Sequence, residues 1–254
     1  MLFAIDVGNT NTVLGLFDDQ RLVQQWRIET KKERTADELG VLLKELFAHS
    51  KIDLKAIEGI IISNVVPPMQ HALESMARRY LHQEPMNVGP KTKIKIKNRY
   101  HHPSEVGADR IVNAAAAYHK YPRALIVVDF GTATTFDYIS PKGEYLGGAI
   151  APGIMISNEA LFTHASKLPR VEIAKPAKVI GRRTIESIQS GIFYGYVSMV
   201  DGLVEKIKKE VKTKPKVIAT GGLAGLIAKD SKTIESVAPH LTLEGLRLIW
   251  DWNQ

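Results

Sequence analysis

Two short segments carry the residue types that phosphate chemistry needs. They are Asp6-Val-Gly-Asn-Thr-Asn-Thr-Val13 and Asp129-Phe-Gly-Thr-Ala-Thr-Thr135. In the first, Gly8 lets the backbone approach a ligand closely, while Asn9, Thr10, Asn11 and Thr12 present amides and hydroxyls to phosphate oxygens. A carboxylate at the end of a strand can hold a metal ion or its waters, and Asp6 and Asp129 are both so placed. One such segment alone could equally be an ordinary hairpin with a solvated polar tip; a second copy weighs against that reading. The signatures G-x-x-x-x-G-K-[ST] and G-x-G-x-x-G occur nowhere in the chain, so neither a P-loop nor a dinucleotide-binding turn is expected.

The elements that must position these segments form a repeat. The stretches after Met1 and after Ala124 each give an apolar strand, Asp-x-Gly, a small polar cluster, a second β-rich run, a turn and a third strand, so that Asp6 falls on Asp129 and Gly8 on Gly131. Gly59 to Pro67 and Val217 to Ala224 also match, each an apolar strand running into a turn with a helix expected next. Thr35-x-x-Glu38 is a capping-box signature ahead of Leu39, Leu42, Leu43, Leu46 and Phe47 at helical spacing. Pro67 and Pro68 suit a first helical turn. Residues 104–119 read as one helix with Asp109 and Arg110 near its start, and Thr184 to about Glu210 as the longest helix. The expected fold is α/β: two similar halves, residues 1–115 and 116–254, each a mixed sheet with flanking helices, facing one another across a ligand-binding cleft.

Composition narrows the class. The chain has 254 residues, 34 Lys plus Arg against 27 Asp plus Glu, a net charge of +7, and 44% hydrophobic residues. It is long enough for a sizeable core. The absence of cysteine excludes disulfides, zinc-thiolate sites and thiol nucleophiles and suits a reducing compartment. Asp6 interrupts the N-terminal apolar run too early for a secretory signal, and residues 147–156, broken by Pro152, fall short of the ~20 a membrane helix needs. A cytoplasmic protein with no membrane partner is expected. The basic segment Lys91 to Arg99 alternates Lys93, Lys95 and Lys97 with Ile94 and Ile96, the pattern of a protected edge strand rather than of a nucleic-acid contact. The eight histidines show no zinc-ligand spacing.

Paired Asp-Gly-Thr hairpins resemble those of the sugar kinase, heat-shock protein and actin superfamily, with its ribonuclease H-like halves. Four motifs narrow this further: Asp6-x-Gly-Asn-Thr, Tyr100-x-x-Pro103 followed by Gly107-Ala-Asp-Arg110, Asp129-x-Gly-Thr-Ala133, and Gly147-Gly-x-Ile-x-Pro-Gly153. In that order and approximate spacing they resemble the type III pantothenate kinases over nearly the whole chain. The resemblance implies ATP-dependent phosphorylation of pantothenate, the first step toward coenzyme A, with Mg2+, a monovalent cation (K+ or NH4+) and a homodimer. It implies nucleotide contacts at Asp6, Val7, Gly8, Asn9, Thr10, Asn11, Thr12, Val13 and Thr132. Pantothenate contacts are implied at Tyr100, Gly107, Ala108, Asp109, Arg110 and Thr184, and the monovalent cation at Asp129.

The residues of Gly107-Ala-Asp-Arg110 suit such a reaction. Phosphoryl transfer asks mainly for positioning, charge stabilisation and a group that accepts the hydroxyl proton, and Asp109 near a helix N-terminus is the natural base. Arg110 offers a planar fork for a carboxylate or a phosphate. A plain first-turn salt bridge is the competing reading of this pair, as a plain N-cap is for Thr184. No lysine in the first hairpin can reach the phosphates, so the nucleotide grip is expected to be loose. Two alternatives stand beside the kinase reading: a transcription accessory factor related to the family, and another small-molecule kinase of the superfamily. The apolar helix 184–207, with Gly191 and Gly195 for close approach, is the expected dimer face.

Overall fold

The computed structural model describes all 254 residues, Met1–Gln254. In chain order the first elements are β1 (Leu2–Val7), β2 (Asn11–Asp18), β3 (Arg21–Glu29), α1 (Ala36–His49), β4 (Gly59–Asn64), α2 (Gln70–Tyr80), β5 (Met86–Asn87), β6 (Lys97–Asn98) and α3 (Ala108–Lys120). The rest are β7 (Leu125–Phe130), β8 (Ala133–Ile139), β9 (Glu144–Pro152), α4 (Ile154–His164), α5 (Thr184–Val211), β10 (Lys216–Gly221), α6 (Ala224–Ile227), β11 (Ser236–Val237) and α7 (Leu241–Trp252). They form two compact units: Met1–Lys95, His102–Ala116 and Leu241–Gln254 in one, Ile96–His101 and Ala117–His240 in the other. Against the expected division at 115/116, α7 joins the first unit and residues 96–101 join the second.

The first unit is built on a sheet of order β3-β2-β1-β4-β5, in which β1 pairs antiparallel with β2 and parallel with β4. Its central strand is apolar from Leu2 to Ile5 because both faces are covered. Phe3, Ile5 and Val7 pack with Leu39, Leu43 and Phe47 of α1 and Leu73 and Met76 of α2. Leu2 and Ala4 on the other face pack with Val112 of α3 and Leu243, Leu246 and Ile249 of α7. The capping box forms as expected: the Glu38 N–H donates to Thr35 Oγ1 (3.3 Å) and the Thr35 N–H to Glu38 Oε2 (2.7 Å). Pro67 and Pro68 open a separate 3-10 turn, Pro67–Met69, that feeds α2.

The second unit repeats the plan with order β11-β10-β7-β8-β9-β6. Strands β7 to β9 are antiparallel, β10 is parallel to β7, and β11 is parallel to β10. Ile126, Val128, Phe136 and Tyr138 bury one face against Ile188, Ile192, Phe193 and Val200 of α5. The helix after β10 is a single turn, α6, where α2 follows β4 with eleven residues. Of the alternating segment 91–99 only Lys97–Asn98 is strand, at the sheet edge beside β9. Its lysines are nonetheless exposed and its isoleucines half-buried in alternation.

Candidate active site

In the first unit the candidate residues gather at the carboxyl ends of β1 and β4, the end of such sheets at which ligands bind. Asp6 is the fifth of six residues in β1 and the one not fully buried. Beyond it the Gly8 N–H donates to the Asn11 carbonyl (3.1 Å), which turns the chain and leaves Asn9, Thr10 and Asn11 exposed. Val7 and Thr12 are buried, and Val13 half-buried. Thr12 shares a hydroxyl contact of 2.9 Å with Thr30, whose N–H donates to the Thr10 carbonyl (2.9 Å), so the end of β3 braces the hairpin tip. The exposed side chains of this segment are therefore those of Asn9, Thr10 and Asn11.

Residues 104–119 do not form one helix. Pro103–Glu105 is a separate 3-10 turn, Val106 is extended, and α3 starts at Ala108. The reason is local, since Pro103 starts a turn that closes on itself and Gly107 then supplies the carbonyl to which Arg110 N–H (3.2 Å) and Ile111 N–H (3.4 Å) donate. Asp109 thus stands in the first turn of α3, half-buried, with Oδ1 accepting from the Arg110 N–H at 2.8 Å. A Cβ at position 107 would fall 2.5 Å from that oxygen and 3.7 Å from Val65 Cγ1. A side chain there would displace the carboxylate. Val65 in turn donates its N–H to the Val7 carbonyl (3.1 Å), so the Asp109 turn and the Asp6 hairpin adjoin one loop.

In the second unit Asp129 is again the fifth of six residues in its strand and the one not fully buried. It lies against Gly221 of β10, where φ is +93° and a Cβ would come within 2.6 Å of Asp129 Oδ1. The tip that follows is braced at Thr132, whose carbonyl accepts from the Gly153 N–H (3.1 Å) at the end of β9. Tyr100 follows β6, with its N–H on Asn98 Oδ1 (3.0 Å) and its ring 6.4 Å from that of Tyr145, tilted by 47°. Thr184 is exposed and is the first residue of α5, not its cap; Arg183 holds the cap position without a side-chain bond, and Glu186 accepts from the Arg182 N–H (3.0 Å). Sequence reading passes over Gly221 and Val65. The doubled glycine ending an apolar strand was the available signal for the first; nothing in the residue type marks the second.

The donor set suits hard cations. Carboxylates at 6 and 129, with hydroxyl and amide oxygens in the turns beyond them, are the oxygen ligands that magnesium and potassium prefer, and the space against Gly221 is one a Cβ would fill. Carboxylates, exposed amides and hydroxyls, and an arginine next in sequence to a carboxylate are residue types that phosphoryl transfer from a nucleotide needs.

Known proteins agree with this chemistry. Residues 2–206 match the family model of the type III pantothenate kinases. The chain is 57% identical over 254 residues to the type III pantothenate kinase of Geobacter sulfurreducens, with 100% of either chain covered. Among solved structures, a conserved Baf family protein of Campylobacter jejuni designated a transcriptional activator aligns with a TM-score of 0.62 at 19% identity, over 99% of this chain and 98% of that one. The inorganic polyphosphate/ATP-glucomannokinase of an Arthrobacter species aligns with a TM-score of 0.53 at 13% identity, over 100% and 99%. At those identities the two structures show the fold alone, two mixed sheets flanked by helices as in the actin-like kinases. The family model and the full-length identity carry the assignment: the chain belongs to the type III pantothenate kinase family.

Proposed function

We propose that the chain phosphorylates pantothenate to 4'-phosphopantothenate with ATP, in the cytoplasm, as the first step toward coenzyme A. The observation that carries this reading is the joint presence of both Asp-x-Gly hairpins and an intact Gly107-Ala-Asp-Arg110 turn in a chain 57% identical to a type III pantothenate kinase over its full length. The pantothenate hydroxyl oxygen attacks the γ-phosphorus, the bond from that phosphorus to the β-γ bridging oxygen breaks, and ADP leaves. Asp109 accepts the hydroxyl proton. Arg110 binds the pantothenate carboxylate through its fork. Tyr100 covers the apolar part of the substrate, and Gly107, Ala108 and Thr184 complete its contacts.

Asn9, Thr10 and Asn11 bind phosphate oxygens through side chains, Gly8 lets the backbone come close to them, and Val7, Thr12 and Val13 form the strand ends that aim them; Thr132 contributes from the second hairpin. Asp6 would hold the Mg2+ that accompanies ATP, or its waters, and the ion would supply neutralisation of phosphate charge. Asp129 would hold the monovalent cation, K+ or NH4+.

The working unit is a homodimer. Leu146 and Ile150 of β9, Met155, Ile156 and Phe162 of α4 and Ile185 of α5 are all exposed, Ile150 at 63%. Gly191 and Gly195 are exposed, with open space where a Cβ would stand. Apolar surface of this kind marks association. A light-scattering mass near 28.2 kDa at assay concentration with full activity would remove the dimer. The kinase reading is tested by coupled measurement of ADP release with and without pantothenate, in K+ and in Na+ at equal ionic strength. Turnover that needs pantothenate and rises in K+ is expected; ADP release indifferent to pantothenate overturns it.

A further inference from the structure

The second unit holds a buried carboxylate that the reaction above does not use. Asp137 of β8 is 1% exposed. Its neighbours Phe136 and Tyr138 face the apolar core, so alternation along the strand turns Asp137 to the opposite face together with Thr135. There Tyr145 of β9, 0% exposed, donates its hydroxyl to Asp137 Oδ1 at 2.7 Å, and the Thr135 hydroxyl donates to Oδ2 at 3.0 Å. Thr135 lies directly across the ladder from Asp129. A carboxylate in such a place is costly unless several donors hold it, and an apolar side chain of similar size would serve packing at less cost.

The Tyr145 ring leads from this carboxylate to Tyr100. The two rings lie 6.4 Å apart at 47°. The Tyr145 carbonyl accepts from the Arg99 N–H at 2.9 Å, which fixes the backbone one residue before Tyr100. On its other flank Tyr100 lies over Gly147, where φ is +109° and a Cβ would stand 3.2 Å from the Tyr100 ring. Tyr100 therefore rests on a floor made by one residue without a side chain and one whose ring is fastened at its far end. We propose that Asp137 and Tyr145 are positioning residues for pantothenate: Asp137 fixes the Tyr145 ring through its hydroxyl, and the ring sets the placement of Tyr100 and so the affinity for the acceptor. This rests on the reading of Tyr100 as a pantothenate contact. It gives the Gly147 end of Gly147-Gly-x-Ile-x-Pro-Gly153 a task, that of shaping the substrate floor.

The test uses Tyr145→Phe, which keeps the ring and removes the fastening, and Asp137→Asn, which keeps an acceptor oxygen. In Tyr145→Phe the pantothenate KM should rise roughly two- to thirtyfold, the range of coupling carried through one packed neighbour, with ATP KM unchanged. Asp137→Asn should rise less. On a Tyr100→Ala background Tyr145→Phe should add nothing. In protein labelled with 3-fluorotyrosine, the Tyr100 resonance, assigned by its loss in Tyr100→Phe, should shift in Tyr145→Phe. An unmoved Tyr100 resonance, or a KM effect that persists undiminished without the Tyr100 ring, overturns the proposal. Should the wild-type protein phosphorylate no pantothenate, the functional reading falls, and the fluorine spectrum by itself decides the positioning claim.

Discussion

The hairpins of the two units start from the same plan and end differently. Asp6 and Asp129 occupy the same place in strands of equal length, each at the centre of a sheet with the same core order. Between the last ladder pairs, Val7↔Thr12 and Phe130↔Thr134, the first tip has residues 8–11 and the second residues 131–133, one fewer. Both tips are held by the residue that follows the third strand, Thr30 N–H on the Thr10 carbonyl and Gly153 N–H on the Thr132 carbonyl, but the longer tip leaves three polar side chains exposed. The strand beside each aspartate differs too, since Gly221 makes room against Asp129 where the first unit has Asn64, whose Oδ1 instead accepts from the Val66 N–H at 2.8 Å. The duplicated hairpin has thus become a longer, donor-rich tip in one unit and a shorter tip with a confined carboxylate in the other.

The largest test of this division lies outside both tips. If the hairpins serve binding and Asp109 serves proton transfer, Asp109→Asn should lower kcat by roughly 10² to 10⁴ with nucleotide affinity little changed. Arg110→Lys should mainly raise the pantothenate KM. Steady-state kinetics separates them, and a kcat left intact in Asp109→Asn would make that residue a binding group only.

Next in size, Leu246→Ala in α7, fully buried against the first sheet, should cost about 2–5 kcal/mol in denaturant unfolding. Were the C-terminal helix loosely attached to the first unit, the loss would be well under that.

The two aspartates should then diverge. Asp6→Asn and Asp129→Asn should each lower turnover by the roughly 10- to 100-fold typical of disturbing a metal site. Only Asp129→Ala should abolish the response to replacing Na+ by K+. Equal cation responses in both variants would erase the distinction drawn between the tips.

The smallest effect concerns how each sheet fastens a two-residue edge strand. Asn87 of β5 is held by Gln70 and Glu74 of α2, a network at 2.8 and 2.9 Å. The segment before β11 is held by Asp201 of α5, which accepts from Lys232 and Thr233 N–H groups and from the Ser231 and Thr233 hydroxyls. Burial works to raise the Asp201 carboxyl, but these donors outweigh it and hold its pKa below the ordinary 3.8. A depressed folded-state pKa contributes stability that is present above the unfolded value and lost as pH falls through the folded one. Asp201→Asn should therefore destabilise by about 1–2 kcal/mol near neutrality, with the gap to wild type narrowing below pH ~4. A gap independent of pH would show that shape, not charge, holds that loop.

Where sequence reading succeeded, the deciding contacts are local. The capping box joins residues three apart, the paired strands show as apolar runs broken by one aspartate, and the long helix is set by a periodic face from Ile188 to Val204. The break between Pro103 and Ala108 was also local but went unseen, because residues 104–119 are helix-compatible taken singly and only the closed turn at Pro103 stops them joining.

By itself the sequence determined the duplicated hairpins, the expectation of two mixed sheets, and the family, since these rest on short motifs whose order survives without knowledge of contacts. Only tertiary structure decided the rest. The α7 helix joins the first sheet because its apolar stripe finds Leu2, Ala4 and Ile61 on the face that α1 and α2 leave open, a pairing across more than 170 residues that no spacing announces. Gly221 matters because Asp129 lies against it, and Asp137 because Tyr145 reaches it from the next strand. Residue type fixes what a side chain can do. Which partner it meets is set by packing, and packing is a property of the folded chain.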